Sequence, residues 1–126
     1  MSATGALVAG VREQGSPTID EDHLGRMTLG DRSLEREVLA IFARQTAVML
    51  ERMAGAKPSL AAAAAHTLKG SARGVGAWRV AQAAERLEEA AAAPGDEAAV
   101  HLAVAELQAA CLEVRTAIGL RLGDCL

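Results

Sequence analysis

Aromatic residues are almost absent from this chain: among its 126 residues, Phe42 and Trp78 are the only two, and tyrosine does not occur. Proline is scarce as well, with three residues, whereas alanine supplies 29. β-Strands favour aromatic and β-branched side chains, while alanine has the highest helix propensity. The composition therefore excludes β-sandwiches and barrels and predicts an all-α fold. Hydrophobic residues make up 51% of the chain, which is sufficient for a core.

Long hydrophobic runs and a cysteine framework are also missing. No run approaches the roughly 20 residues of a membrane span, and no basic segment precedes a hydrophobic one near the N-terminus. We therefore expect neither a membrane helix nor a secretory signal. Cys111 and Cys125 have no metal-ligand spacing, and Cys111 lies on an apolar stripe typical of a core thiol. The simplest prediction is a reducing, cytoplasmic setting without a metal site.

Charge is unevenly distributed along the chain. Thirteen basic and sixteen acidic residues give a net charge of −3, so we do not expect nucleic acid as a partner. Between Arg52 and Ala84, however, there are five basic residues and no acidic one. This positive segment is suited to steering an acidic partner, although chance clustering would give the same pattern.

Helical periodicity and turn residues divide the chain into an arm and a bundle. Residues 1–18 are rich in glycine and weakly periodic, which predicts a flexible N-terminal arm. A bundle domain over residues 19–126 is predicted to begin with a short helix from about Asp20, anchored by Leu24 and Met27. Four longer helices are expected over about residues 32–54, 58–74, 77–93 and from 96 onward. Short loops between them predict an antiparallel four-helix bundle with a short additional N-terminal helix.

Apolar residues at helical spacing predict which side of each helix faces the core. For the helix over 32–54, these are Leu34, Val38, Ile41, Phe42, Gln45, Val48, Met49 and Met53. For the helix over 58–74, they are Leu60, Ala61, Ala64, Leu68, Ala72 and Val75. The last helix has the most regular stripe, formed by Val100, Val104, Leu107, Cys111, Val114, Ile118 and Leu122.

The opposite face of the helix over 58–74 carries the candidate chemistry. At 100° per residue, the positions within about 60° of His66 are Ser59, Ala62, Ala63, Lys69, Gly70 and Arg73. A helical glycine costs about 0.5–1 kcal/mol relative to alanine, and close approach of another surface is the usual reason for one. The small residues therefore predict a histidine that a second protein can reach.

The residue types on this face suit phosphoryl transfer. Neutral imidazole is a nucleophile near pH 7. Lys69, one turn further along, can pair with phosphoryl oxygens, and Arg73 extends the positive strip. No acidic residue lies between Glu51 and Glu85, so we expect any Mg²⁺ to come with the partner.

The run His66-Thr67-Leu68-Lys69-Gly70-Ser71-Ala72, followed by Gly76-Ala77 and Leu87-Glu88, resembles the signature of histidine phosphotransfer (HPt) domains. The resemblance covers roughly residues 19–120. It implies that His66 accepts a phosphoryl group, that Lys69 stabilises it and that Gly70 admits a receiver domain. Gly76 matches the turn glycine after the active helix. Ala62, Ala63 and Arg73 are assigned to the docking surface only because they lie on the same helical face as His66.

The same resemblance implies the partners of a phosphorelay intermediate. These are response-regulator receiver domains and a (hybrid) histidine kinase, with Mg²⁺ supplied by the receiver and no kinase activity in this chain. We expect a monomer. Two other functions stay open: a helical adaptor that binds a receiver domain or kinase without transfer, and an unrelated bundle that binds a small molecule or a helix. His23 and His101 have no comparable setting, and Glu88 and Gln45 are left without a role.

Overall fold

The computed structural model describes residues 18–93 and 95–123, and within those ranges it consists of five α-helices without a strand. Four long helices pack in sequence around a common core, with the last one returning to the first, which confirms the predicted all-α bundle. A short helix precedes them. The helices are α1 (Glu21–Met27), α2 (Arg32–Met53), α3 (Pro58–Val75), α4 (Trp78–Ala92) and α5 (Glu97–Leu122). The predicted arm, apart from residue 18, lies outside the described residues, as do Pro94 and Cys125.

Three of the described helices begin directly after an aspartate that caps the helix N-terminus. The carboxylates of Asp20, Asp31 and Asp96 each accept a hydrogen bond of 3.0 Å from the backbone N–H three residues later. Each bond satisfies one of the N–H groups that a helix leaves unpaired at its N-terminus. Pro58 begins α3, where its missing N–H costs nothing.

Gly76 ends α3 and makes the tight turn into α4. Its φ of 83° lies in the left-handed region that glycine adopts without strain. A Cβ at this position would lie 3.1 Å from both the Cβ and the carbonyl oxygen of Asp20 and 3.3 Å from the His23 ring. The turn glycine thus also provides the space in which α1 rests against the α3–α4 connection.

A polar contact and a ring contact hold α1 in this place. Trp78 Nε1 donates to Asp20 Oδ2 at 2.8 Å, and this bond holds the pKa of Asp20 below its ordinary value. The His23 ring packs edge-on against Trp78, with 4.9 Å between ring centroids. Leu24 is buried as predicted, but Met27 is exposed. Thr28, which follows Leu24 by four residues, occupies the inward position instead.

The core confirms the predicted stripe of α5 and corrects those of α2 and α3. In α5, five of the seven predicted residues are buried, and Val104 and Leu122 are partly buried against them. In α2, Leu34, Ile41 and Val48 are exposed, because the inward side is centred on Leu39, Phe42, Thr46, Met49 and Met53. In α3 the predicted residues are buried except Leu60, which is exposed.

Candidate functional site

His66 stands in the middle of α3 on the side that faces away from the core. The alanine-rich first half of α3 favours the helix, and Ala65 and Leu68 on its other side are fully buried. The helical period therefore turns the imidazole outward, and 72% of its side-chain surface is exposed. Lys69 follows one turn later on the same face, with a side chain only 17% exposed.

Glu88 of α4 holds both of these residues. Its Oε2 lies 2.8 Å from His66 Nδ1, and its Oε1 lies 2.6 Å from Lys69 Nζ. The bond to Lys69 is the main cause that lowers the pKa of Glu88, and His66 adds to it, while partial burial opposes both. Glu88 is therefore an anion at neutral pH, and its oxygens only accept hydrogen bonds.

This contact determines which nitrogen of His66 carries the proton. Since Glu88 can only accept, Nδ1 of a neutral imidazole must be the donor, and Nε2 keeps its lone pair. No hydrogen-bond partner competes for Nε2 among the described residues. In its neutral form, the ring therefore presents the Nε2 lone pair to an approaching molecule.

The other residues predicted on this face lie around His66 with different surroundings. Ala63 and Gly70 are exposed and Ala62 is half-buried. A Cβ at Gly70 would meet nothing within 4 Å, so no internal packing requires a glycine there. Arg73 is ion-paired with Glu85 of α4 at 3.5 Å, and both side chains are about half exposed, a pairing of small energetic value.

Gly76 and the remaining histidines lie apart from this group. Gly76 follows His66 by ten residues, which is about 15 Å along the helix, so the structure gives it a place in the turn and none beside the imidazole. His23 packs on Trp78, and His101 lines a cleft between α5 and the α2–α3 loop.

The resemblance places Glu88 where some HPt domains have a polar residue that supports the histidine ring, but sequence reasoning left Glu88 unassigned because an acid near a phosphate is unfavourable. Its position in the Leu87-Glu88 pair is part of the resemblance, but nothing in the local sequence says that α4 packs with Glu88 against both His66 and Lys69.

The described residues contain no cluster of three or more histidine, cysteine, aspartate or glutamate side chains suited to a metal ion. In the same part of the chain, no helix has the length and apolar character needed to cross a membrane.

Comparison with known proteins gives a family and a fold. A family model, described as Hpt domain, matches residues 37–117. The solved structure of a rice protein, described as a histidine-containing phosphotransfer protein, superposes with a TM-score of 0.74 at 19% identity, covering 94% of this chain and 88% of the rice chain. At that identity the likeness establishes the fold. Among curated proteins the comparison finds no match.

Proposed function

The chain belongs to the Hpt domain family, whose members carry phosphoryl groups in phosphorelays, and we propose that His66 is the residue that does so here. The observation that supports this assignment is the pair of contacts made by Glu88. In the neutral imidazole they leave the lone pair on Nε2 of a side chain that is 72% exposed, and they hold the cation of Lys69 one helical turn away. Neither His23 nor His101 has such a partner among the described residues.

In the transfer step, the Nε2 lone pair attacks the phosphorus of an aspartyl phosphate on a receiver domain. The N–P bond forms as the P–O bond to the aspartate breaks, and the aspartate leaves as a carboxylate with the electrons of that bond. Nε2 has no proton to lose, so no general base is needed. Nδ1 keeps its proton, and the ring becomes a phosphorylated imidazolium whose positive charge the Glu88 carboxylate stabilises through Nδ1, which lies 2.8 Å from Oε2 before transfer.

Lys69 serves the phosphoryl oxygens after transfer. Its ammonium is held by Glu88 at 2.6 Å, and the long flexible side chain can turn toward a phosphoryl group on Nε2 by rotation of its own bonds. Reverse transfer to a second receiver aspartate uses the same contacts in the opposite order. We infer that the chain has no kinase activity of its own and that the receiver supplies the Mg²⁺ that transfer requires. We also propose that the protein works as a cytoplasmic monomer.

Transfer from radiolabelled phospho-receiver domains of the same genome tests this function. Wild-type protein is expected to take up acid-labile, base-stable label in the presence of Mg²⁺, and a His66→Gln variant is expected to take up none. His101→Gln is the matched control, because it removes another exposed histidine, and it should behave as wild type. Binding without label would favour the adaptor function, and equal label on His66→Gln would show that another residue accepts the group.

A further inference from the structure

Two surface grooves run along α5, one beside α4 and one beside α2. The groove beside α4 has a floor of alanines, with arginines of α4 on one wall and glutamates of α5 on the other. These charges form ion pairs across it, Arg79 with Glu113 at 3.1 Å and Arg86 with Glu106 at 3.5 Å. The charges of this groove are therefore matched within the chain.

The groove beside α2 carries unmatched charges. Its lining includes Arg44 of α2 and Arg115 of α5 but no carboxylate from the described residues. Both arginines are exposed, and neither forms an ion pair with any residue in the ranges 18–93 and 95–123. Cys111, one turn before Arg115, stays neutral, because burial raises the pKa of its thiol to about 12. Each wall of this groove is thus left with a cation that has no anion.

The shape of the α2–α5 groove suits a helix. Its floor on α2 consists of Ala40, Ala43 and Ala47, which follow one another at steps of three and four and therefore lie in a row. On α5, Gly119 contributes no side chain. Small residues on two neighbouring helices allow a third helix to pack closely into the groove between them. The row of alanines extends over about 10 Å, which is about two helical turns.

The α2–α5 groove lies away from His66. The long helices pack in the order α2, α3, α4 and α5, so the contact of α2 with α5 is across the bundle from the contact of α3 with α4, where Glu88 meets His66. Arg36 of α2 donates to the carbonyl oxygen of Leu122 at 3.0 Å and joins the two helices at one end of the groove. A segment bound in this groove therefore leaves the imidazole accessible.

We propose that the α2–α5 groove binds a short acidic amphipathic helix of a partner protein, with apolar side chains on the alanine floor and carboxylates beside Arg44 and Arg115. The chain has a net charge of −3, so an acidic partner needs local cations, and the two arginines supply them. An amphipathic helix in a groove is a recurrent form of peptide recognition. The bound helix anchors its protein to this chain and raises the local concentration of that protein near His66.

Fluorescence anisotropy with a designed peptide tests this site. The probe is an acetylated peptide of about 18 residues, or five helical turns, with leucines along one face and glutamates on both flanks of that face. Its counterpart carries lysine in place of every glutamate. The wild-type protein is expected to bind the acidic peptide about tenfold more tightly than the lysine peptide, and this difference should shrink as the salt concentration rises.

Substitutions in the two grooves provide matched controls. Arg44→Glu and Arg115→Glu are each expected to weaken binding of the acidic peptide about tenfold. Arg86→Glu makes the same change of charge in the α4–α5 groove and should stay within about twofold of wild type. Ala47→Leu fills the floor and should abolish binding, whereas Ala109→Leu, in the lining of the α4–α5 groove, should not. Circular dichroism checks that each variant folds.

Three results would overturn this proposal. The first is equal binding of the acidic and lysine peptides, and the second is binding in Arg44→Glu and Arg115→Glu that matches Arg86→Glu. The third is binding to phosphatidylglycerol vesicles without binding of the acidic peptide, which would assign the arginines to a membrane surface. His66→Gln should bind the acidic peptide as wild type does, so the outcome is independent of the proposed phosphotransfer. Loss of binding in that variant would place the peptide at the imidazole and contradict the groove site.

Discussion

At the scale of single residues, the carboxylate of Glu88 lies beside the histidine that we propose is phosphorylated. A carboxylate beside a dianionic phosphoryl group is unfavourable by simple Coulomb repulsion. The imidazole, however, gains a positive charge in the same step, and Glu88 contacts the nitrogen that retains the proton. Before transfer, Lys69 neutralises the second carboxylate oxygen at 2.6 Å. After transfer, when Lys69 turns to the phosphoryl oxygens, the imidazolium itself compensates the charge of Glu88.

Substitution of Glu88 should separate orientation of the ring from its electrostatics. Glu88→Gln keeps an oxygen that can accept from His66 Nδ1 but removes the charge, and we expect receiver-dependent transfer to fall about tenfold. Glu88→Ala removes both, and the loss should be larger. The ¹⁵N chemical shifts of the imidazole provide a second readout, because they distinguish the two neutral tautomers. Wild type and Glu88→Gln should show the proton on Nδ1, and Glu88→Ala should shift toward Nε2.

Glu85→Gln is the control for this series, since Glu85 lies on the same helix and contacts Arg73 without touching His66. Its transfer rate and tautomer should match those of wild type. A wild-type imidazole that carries its proton on Nε2 would contradict the role given to Glu88. Equal rates in wild type and Glu88→Ala would contradict it as well.

Gly70 affects both the stability of α3 and the approach of a receiver to His66. Alanine there meets nothing within 4 Å and needs no unusual backbone angle. Gly70→Ala should therefore raise the free energy of unfolding by about 0.5–1 kcal/mol, as at an exposed helical site. Receiver transfer should nevertheless slow, and Gly70→Leu should slow it more, because each added carbon stands between the receiver and His66.

Urea unfolding and the receiver-transfer assay together measure both effects. Gly74→Ala is the matched control, because Gly74 is also in α3 and an added Cβ there would meet nothing within 4 Å, but it lies two turns from His66. It should stabilise the helix by a similar amount without slowing transfer. If Gly70→Leu transferred at the wild-type rate, the small residue would not be needed for close approach.

The helices show what periodicity can and cannot predict. The stripe of α5 was correct because its core residues recur at steps of three and four without interruption. The predicted stripe of α2 was displaced around the helix, since it included the exposed Ile41 and Val48 on one side and omitted the buried Leu39 on the other. A pattern of residue types reports apolar character, whereas burial also depends on where the neighbouring helix lies.

The same limit applies to the candidate site. The outward direction of His66 and the small residues beside it follow from the helical period alone, and the structure places them so. The contacts of Glu88 join α3 to α4 across 22 residues of sequence. They depend on the register in which two helices pack, and no local pattern in a single sequence specifies that register.

At the scale of the whole molecule, one arginine connects the start and the end of the bundle. Arg121 of α5 donates two hydrogen bonds to Glu21 of α1, at 2.7 and 2.9 Å, and one to Glu35 of α2 at 3.0 Å. Glu35 is buried and receives a further bond from the hydroxyl of Thr28. All four residues lie outside the segment 37–117 that matches the family model, so this closure is built from residues beyond the matched region.

Removal of Arg121 should therefore weaken the bundle without touching the chemistry. Arg121→Met is expected to lower the free energy of unfolding by about 2 kcal/mol, because it leaves the buried Glu35 carboxylate without its cation. Arg86→Met, which breaks an exposed pair at 3.5 Å, should cost no more than about 0.5 kcal/mol. Urea unfolding measures both. A second substitution, Glu35→Gln, should recover part of the loss in Arg121→Met, since it removes the unpaired charge. Equal costs for the two arginine variants, or no recovery in the double variant, would mean that packing of α5 holds the bundle closed without this network.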